Sequence, residues 1–227
     1  MTVDRSADLL EAVRAGDTST VDRLLGEEPG LIGARDADGL SPITVAAYHG
    51  REEVALRLLA RDPTLDVFEA ATVGDLGRLA ELLDGNGSLV DAWSVDGWQA
   101  LMLTVFFGRL DAARLLLDRG ARHDLASRNA MTVMPLHSAA AGNHADVIQL
   151  LIDRGADVDA ISHGGFTALH SAAQNGDLGS VEMLLLAGAD RAPRTDKGFT
   201  PADVAEQKGH SEVVARLRGA IESAAAQ

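Results

Sequence analysis

The chain has 227 residues, carries 34 acidic against 20 basic side chains for a net charge of −14, and contains no cysteine. An acid excess of that size repels nucleic acid and anionic lipid, so neither is an expected partner. The missing thiols exclude disulfides, thiolate catalysis and thiolate metal sites together.

The opening MTVDRSADLL has no basic segment followed by an apolar run, so no signal peptide is expected. The longest apolar stretch, residues 100–107, falls far short of the ~20 residues that a membrane span requires. A cytoplasmic location is the expectation.

One phrase returns along the chain: turn, short helix, tight stop, second helix, glycine. It is clearest over residues 164–189, GGFTALHSAAQNGDLGSVEMLLLAGA. The residue that stops the first helix stands at Gly16, Gly50, Gly74, Gly108, Asn143, Gly176 and Gly209, in steps of 34, 24, 34, 35, 33 and 33. Asparagine enters the left-handed region more readily than other side chains, so Asn143 fits the same turn. The apolar pair of the second helix keeps pace at Leu24-Leu25, Leu58-Leu59, Leu82-Leu83, Leu116-Leu117, Leu151-Ile152 and Leu184-Leu185. A period near 33 with two helices per unit predicts about seven stacked units.

The first unit, residues 5–35, has helical apolar spacing at Leu9, Leu10 and Val13 and again at Val21, Leu24 and Leu25. Asp17 and Thr18 are good N-cap residues, and the absent upstream turn marks an opening cap. The second unit, 36–66, starts with the Asp36-Ala37-Asp38-Gly39 turn. Pro63 is expected to end its second helix. The third, 67–93, is about ten residues short, and what it lacks is the turn before its first helix.

The fourth unit, 94–128, has the most apolar first helix, with Met102 where neighbours carry histidine. The fifth, 129–161, puts Thr132 where the turn glycine belongs. A β-branched residue avoids positive φ, so this turn should differ in shape. The sixth, 162–194, is the most regular. The seventh, 195–222, is polar at Gln207, Lys208, Arg216 and Arg218, as a closing cap should be. Beyond Glu222 a small polar tail is expected to fray.

Pro135-Leu136-His137, Thr167-Ala168-Leu169-His170, Ser41-Pro42-Ile43-Thr44 and Thr200-Pro201 resemble the Thr-Pro-Leu-His signature of ankyrin repeats. Residues 153–160 and 187–190 resemble the repeat endings. The likeness covers roughly residues 5–222 and is similar to small bacterial single-domain ankyrin-repeat proteins. It implies an all-α solenoid with capping terminal repeats. It also implies that the turns project as a row of fingers, with one finger missing in the third unit and a notch in its place.

Seven histidines invite a catalytic or metal reading. The resemblance instead gives His137 and His170 a structural role, bonding their own turn and tying neighbouring repeats. No His-x-x-x-His spacing or zinc-protease pattern occurs, and no phosphate loop follows the turn glycines. Ser138 and Ser171 follow histidine directly, where helical side chains diverge. No catalytic residue, metal site or cofactor is expected, and binding is favoured over catalysis.

The aromatics are more informative. Tyr48, Phe106 and Phe107 fall at first-helix ends; Trp98, Phe166 and Phe199 fall beside the finger glycine. These are positions where ankyrin proteins meet partners, and large apolar groups facing water need a reason. The expected site lies at the notch, with Tyr48 and His49 on one side, Thr72 and Val73 as floor, and Trp98, Phe106 and Phe107 opposite. A protein or peptide is the expected partner of a monomeric scaffold. The alternative is a small apolar ligand, or an enzyme's substrate, held in that aromatic pocket.

Overall fold

Helices of seven to eleven residues make up the structure, a computed structural model that describes residues 5–219. So short a helix does not survive alone in water, because nucleation costs more than a few backbone bonds return. Each must bury its apolar face against the next. They come as seven successive pairs: α1 (Arg5–Ala15) with α2 (Thr18–Glu27), α3 (Pro42–Tyr48) with α4 (Glu52–Leu59), and α5 (Val67–Val73) with α6 (Leu76–Gly85). Then follow α7 (Ala100–Phe106) with α8 (Leu110–Asp118) and α9 (Pro135–Gly142) with α10 (Ala145–Asp153). The last are α11 (Ala168–Asn175) with α12 (Leu178–Leu186) and α13 (Pro201–Lys208) with α14 (Ser211–Arg218).

Odd-numbered helices pack on odd and even on even, which makes an all-α solenoid of two rows. The inner row is built on alanine: Ala46, Ala70, Ala71, Ala139, Ala172, Ala173 and Ala205 are buried and let neighbouring backbones approach. Leu25, Leu58, Leu83, Leu116, Leu151 and Leu184 of the outer row close the core behind them. Among the described residues there is no strand beyond one bridge between Trp93 and Gln99. No described helix is long and apolar enough to cross a membrane.

All the helix-stopping residues, Asn143 included, are left-handed. Four of them also receive a side chain of the next repeat, Gly16 and Gly74 that of an arginine and Gly108 and Gly176 that of a histidine. A Cβ on Gly108 would lie 2.5 Å from the His144 ring, and one on Gly176 2.5 Å from the His210 ring. Those rings sit there because their Nε2 donates to a helix-end carbonyl of the preceding repeat, Phe106 at 2.9 Å and Gln174 at 3.0 Å. Arg51 does the same to the Arg14 carbonyl and Arg109 to that of Thr72. Asn175 donates to the Ala140 carbonyl. At the junction of the second and third repeats Asp75 occupies this place, and it caps its own helix by accepting from the Arg78 amide instead.

The signature histidines are buried and do what the resemblance implies. His170 Nδ1 accepts from the Thr167 amide at 3.2 Å, while Nε2 donates to the Phe199 carbonyl of the next finger at 3.1 Å. His137 pairs likewise with Met134 and with the Ala160 carbonyl. Backbone bonds join the later fingers directly, Arg128 to the Gly97 carbonyl and Asp196 to that of Gly164, both at 2.9 Å.

Three local details depart from the sequence expectation. Helix α4 already ends at Leu59, and Asp62 turns left-handed at φ 53° before Pro63, so the proline stiffens the exit without ending the helix. Thr132 keeps the glycine's conformation at φ 45° despite its branched Cβ. The fifth finger does change shape, but by length. Its closing bond runs from Ser127 to Val133, where its neighbours close from Ser94 to Trp98 and from Ser162 to Phe166. The polar tail expected beyond Glu222 lies outside the described residues.

Between α4 and α5 the chain is residues 60–66 only, against 86–99 between α6 and α7. Outer helices pack side by side at the other junctions, whereas α4 and α6 hardly approach one another.

Candidate binding surface

Around this short connection the second and fourth fingers lean together. Val95 Cγ2 stands 3.3 Å from where a Cβ on Gly39 would be, which puts the two finger tips close to van der Waals contact. Tyr48, from the end of α3, donates its hydroxyl to Asp96 Oδ2 at 2.7 Å. Burial and then the Asp96 carboxylate raise the Tyr48 phenol well above its ordinary pKa, so it stays a donor. The Asn129 side-chain amide holds the Asp96 carbonyl from the far side at 3.2 Å.

Beneath this bridge is a small recess of about 190 Å³, lined by Phe68, Trp93 and Leu103 as well as by Arg35, Asp66 and Glu69. Its polar groups already serve one another. Asp66 and Glu69 form the capping box of α5, and Arg35 Nη2 lies 3.4 Å from the nearly buried Glu69 carboxylate.

The Tyr48 ring stacks on Phe107 with centroids 6.0 Å apart and 13° between planes, and Phe107 meets Phe106 edge-on at 5.1 Å. On the inner face these rings lead into a groove of about 320 Å³, lined by Tyr48, Trp98, Met102, Leu103, Phe106 and Met131. Tyr48, Phe106 and Met131 are 38%, 42% and 55% exposed, whereas Met102 is fully buried as the groove's base. Met102 sits at the histidine position, so repeat four lacks the histidine tie, and its finger is joined to the next by the Arg128 and Asn129 bonds alone.

A family model described as "Ankyrin repeats (3 copies)" matches residues 9–127, and another, "Ankyrin repeats (many copies)", matches residues 136–185. The chain belongs to the ankyrin-repeat family. Human neurogenic locus notch homolog protein 2 is 31% identical over 139 residues, 61% of this chain and 5% of that protein. Ankyrin repeat and KH domain-containing protein mask-1 of Caenorhabditis elegans is 25% identical over 163 residues, 71% of this chain and 6% of that protein. A horse ankyrin repeat, SAM and basic leucine zipper domain-containing protein 1 is 34% identical over 91 residues, 39% of this chain and 19% of that protein. The chain thus spans less than a fifth of the length of each.

Within the ankyrin stack the residues expected at the notch divide into three groups. Tyr48, Trp98 and Phe106 meet in the inner groove, with Phe107 stacked behind Tyr48. Thr72 and Val73 are elsewhere: with Phe107 they line a second recess of about 440 Å³ among the turns between helices. His49 is exposed and lines none of these three recesses. Met102, Leu103 and Met131 complete the groove without having been expected as site residues. Met131 had a legible signal, since its finger lacks the turn glycine and carries the exposed methionine beyond its neighbours.

Further along the inner face is a bowl of about 550 Å³ between Phe166 and Phe199. Both lysines of the chain, Lys197 and Lys208, line it together with His163 and Asp196. Among the described residues no group of three or more histidine or carboxylate side chains is arranged to hold a metal ion.

Proposed function

We propose that this ankyrin stack is a recognition scaffold that holds a protein or peptide along its inner face, anchored in the Tyr48–Trp98–Phe106–Met131 groove. The carrying observation is the exposure of Tyr48, Phe106 and Met131 around one apolar groove, while the core is left to Leu, Ile, Val and Ala. Large rings held by neighbours and left open to water lose little entropy on binding, which favours them as anchors. The family points the same way, towards protein partners. The net charge of −14 favours a partner with basic residues around an apolar side chain.

Of the residues expected at the notch, this reading uses Tyr48, Trp98 and Phe106 for contact and Phe107 as their support. The alternative, a small apolar ligand in the aromatic pocket, would use the same groove, but the exposure of Tyr48, Phe106 and Met131 at its rim favours a larger partner.

Peptides selected from a displayed random library against the parent protein provide the ligand for a test. Trp98→Ala and Phe106→Ala should each weaken binding by about 2 kcal/mol or more. Stability should move by no more than about 1 kcal/mol, as is usual for partly exposed groups. Phe199→Ala, in the distant bowl, should matter much less. Equal affinity of parent and Trp98→Ala, or a larger effect of Phe199→Ala, would refute the assignment.

A further inference from the structure

The junction between the second and third repeats lacks two things that close the others: packing between its outer helices and a side-chain tie across its helix ends. Both absences fall on the same edge of the stack, among the turns that join each inner helix to its outer helix. There the second recess opens, about 440 Å³ in volume, and it shares no lining residue with the aromatic groove.

Leu56 and Leu59 of α4 face Val73 and Phe107 across it, so the walls are apolar. Leu56 is 61% exposed, an unusual place for leucine unless something covers it. Arg51 and Arg109 also line the recess. Arg51 turns away from it, with its Nε on the Arg14 carbonyl and its Cδ packed on Gly16 of the first repeat, whereas Arg109 bonds the Thr72 carbonyl of the recess and has no ion-pair partner among the described residues. Arg109 is thus the cation facing the recess, and Glu52 is the one carboxylate of its lining. Thr72 lines it as well, with its hydroxyl buried and without a hydrogen-bond partner.

We propose that this recess binds a small amphipathic carboxylate, its chain against Leu56, Leu59, Val73 and Phe107 and its head on the Arg109 guanidinium. The volume lies within the usual range of small-ligand pockets, roughly 300–1,000 Å³. Apolar walls account for the chain, and the Arg109 guanidinium fork accounts for a planar anionic head. The Glu52 charge opposes a multiply charged group, which selects a monoanion over a phosphate.

The test is calorimetric titration of the full chain with sodium decanoate below its micelle concentration, with decylamine and decanol in parallel. Saturable binding of decanoate alone is expected. Leu56→Glu puts a like charge at the mouth from an exposed site and should weaken decanoate about tenfold. Leu56→Lys should bind at least as tightly as the parent, and Ala55→Leu, which fills the recess, should bind more weakly. Decanol or decylamine binding as well as decanoate would overturn the proposal. So would unchanged affinity in a Leu56→Glu protein whose circular dichroism matches the parent. Neither result touches the peptide groove, because Trp98 and Phe106 lie outside this recess.

Discussion

His137 and His170 act as neutral crosslinks between repeats. Each ring accepts from a backbone amide through Nδ1 and donates through Nε2 to a carbonyl, which only the neutral Nε2–H tautomer can do. Burial, the largest influence, lowers both pKa values below the ordinary histidine value. The unfolded chain therefore takes up these protons first as pH falls. Stability contributed by the neutral rings is complete above about 6.5 and declines as pH drops below it. Carboxylates held low, such as Asp17 and Asp203, are lost only in more acid solution. Melting temperature should thus fall between pH 7.5 and 5.5. A His137→Gln, His170→Gln double variant should start less stable and show a flatter profile. A parallel profile would mean that other groups set the pH dependence.

At the scale of the helical turn, glycine and the residue that follows a neighbour's glycine act as one device. Gly176 is left-handed, and its missing side chain is where the His210 ring rests to reach the Gln174 carbonyl. Gly176→Ala should cost about 2 kcal/mol or more, because left-handed strain adds to a clash. His210→Ala removes the clash, so the double variant should lose less than the sum of the single changes when measured by denaturant unfolding. Strict additivity would show that the ring is not seated there. The Arg119–Asp84 and Arg154–Asp118 pairs along the outer helices are exposed and worth at most about 1 kcal/mol each, so the turns, not the ion pairs, hold successive repeats in register.

Over the whole molecule, stability of a repeat stack is a sum of units and nearest-neighbour interfaces. The interface between the second and third repeats is the sparsest, with α4 and α6 apart and Asp75 turned to its own helix. The Tyr48–Asp96 bond and the Val95–Gly39 contact span the gap from the second repeat to the fourth. Amides of α1 to α4 should therefore exchange hydrogen sooner than those of α7 to α12, as a separate opening unit. Tyr48→Phe should widen that difference. Uniform exchange along the stack would show that the finger contacts fully replace the missing packing.

Glycine spacing, the leucine pairs and the histidine signatures determined the repeat, the helices and the structural histidines from sequence alone. They could do so because each is a local demand: a left-handed stop, an apolar face, a ring between two backbone groups. The short third unit was equally legible as a step of 24. What lay around it was not. Tyr48 and Trp98 meet across sequence because two fingers fold towards each other over the short connection, and Met131 joins them because its finger is longer. Thr72, in the same place of its repeat as Tyr48 and Phe106, has a short and buried side chain that does not reach the groove, and with Val73 it lines a different recess. Sequence period sets which residues occupy equivalent places. Only the packing of one repeat on the next decides which of those places share a cavity.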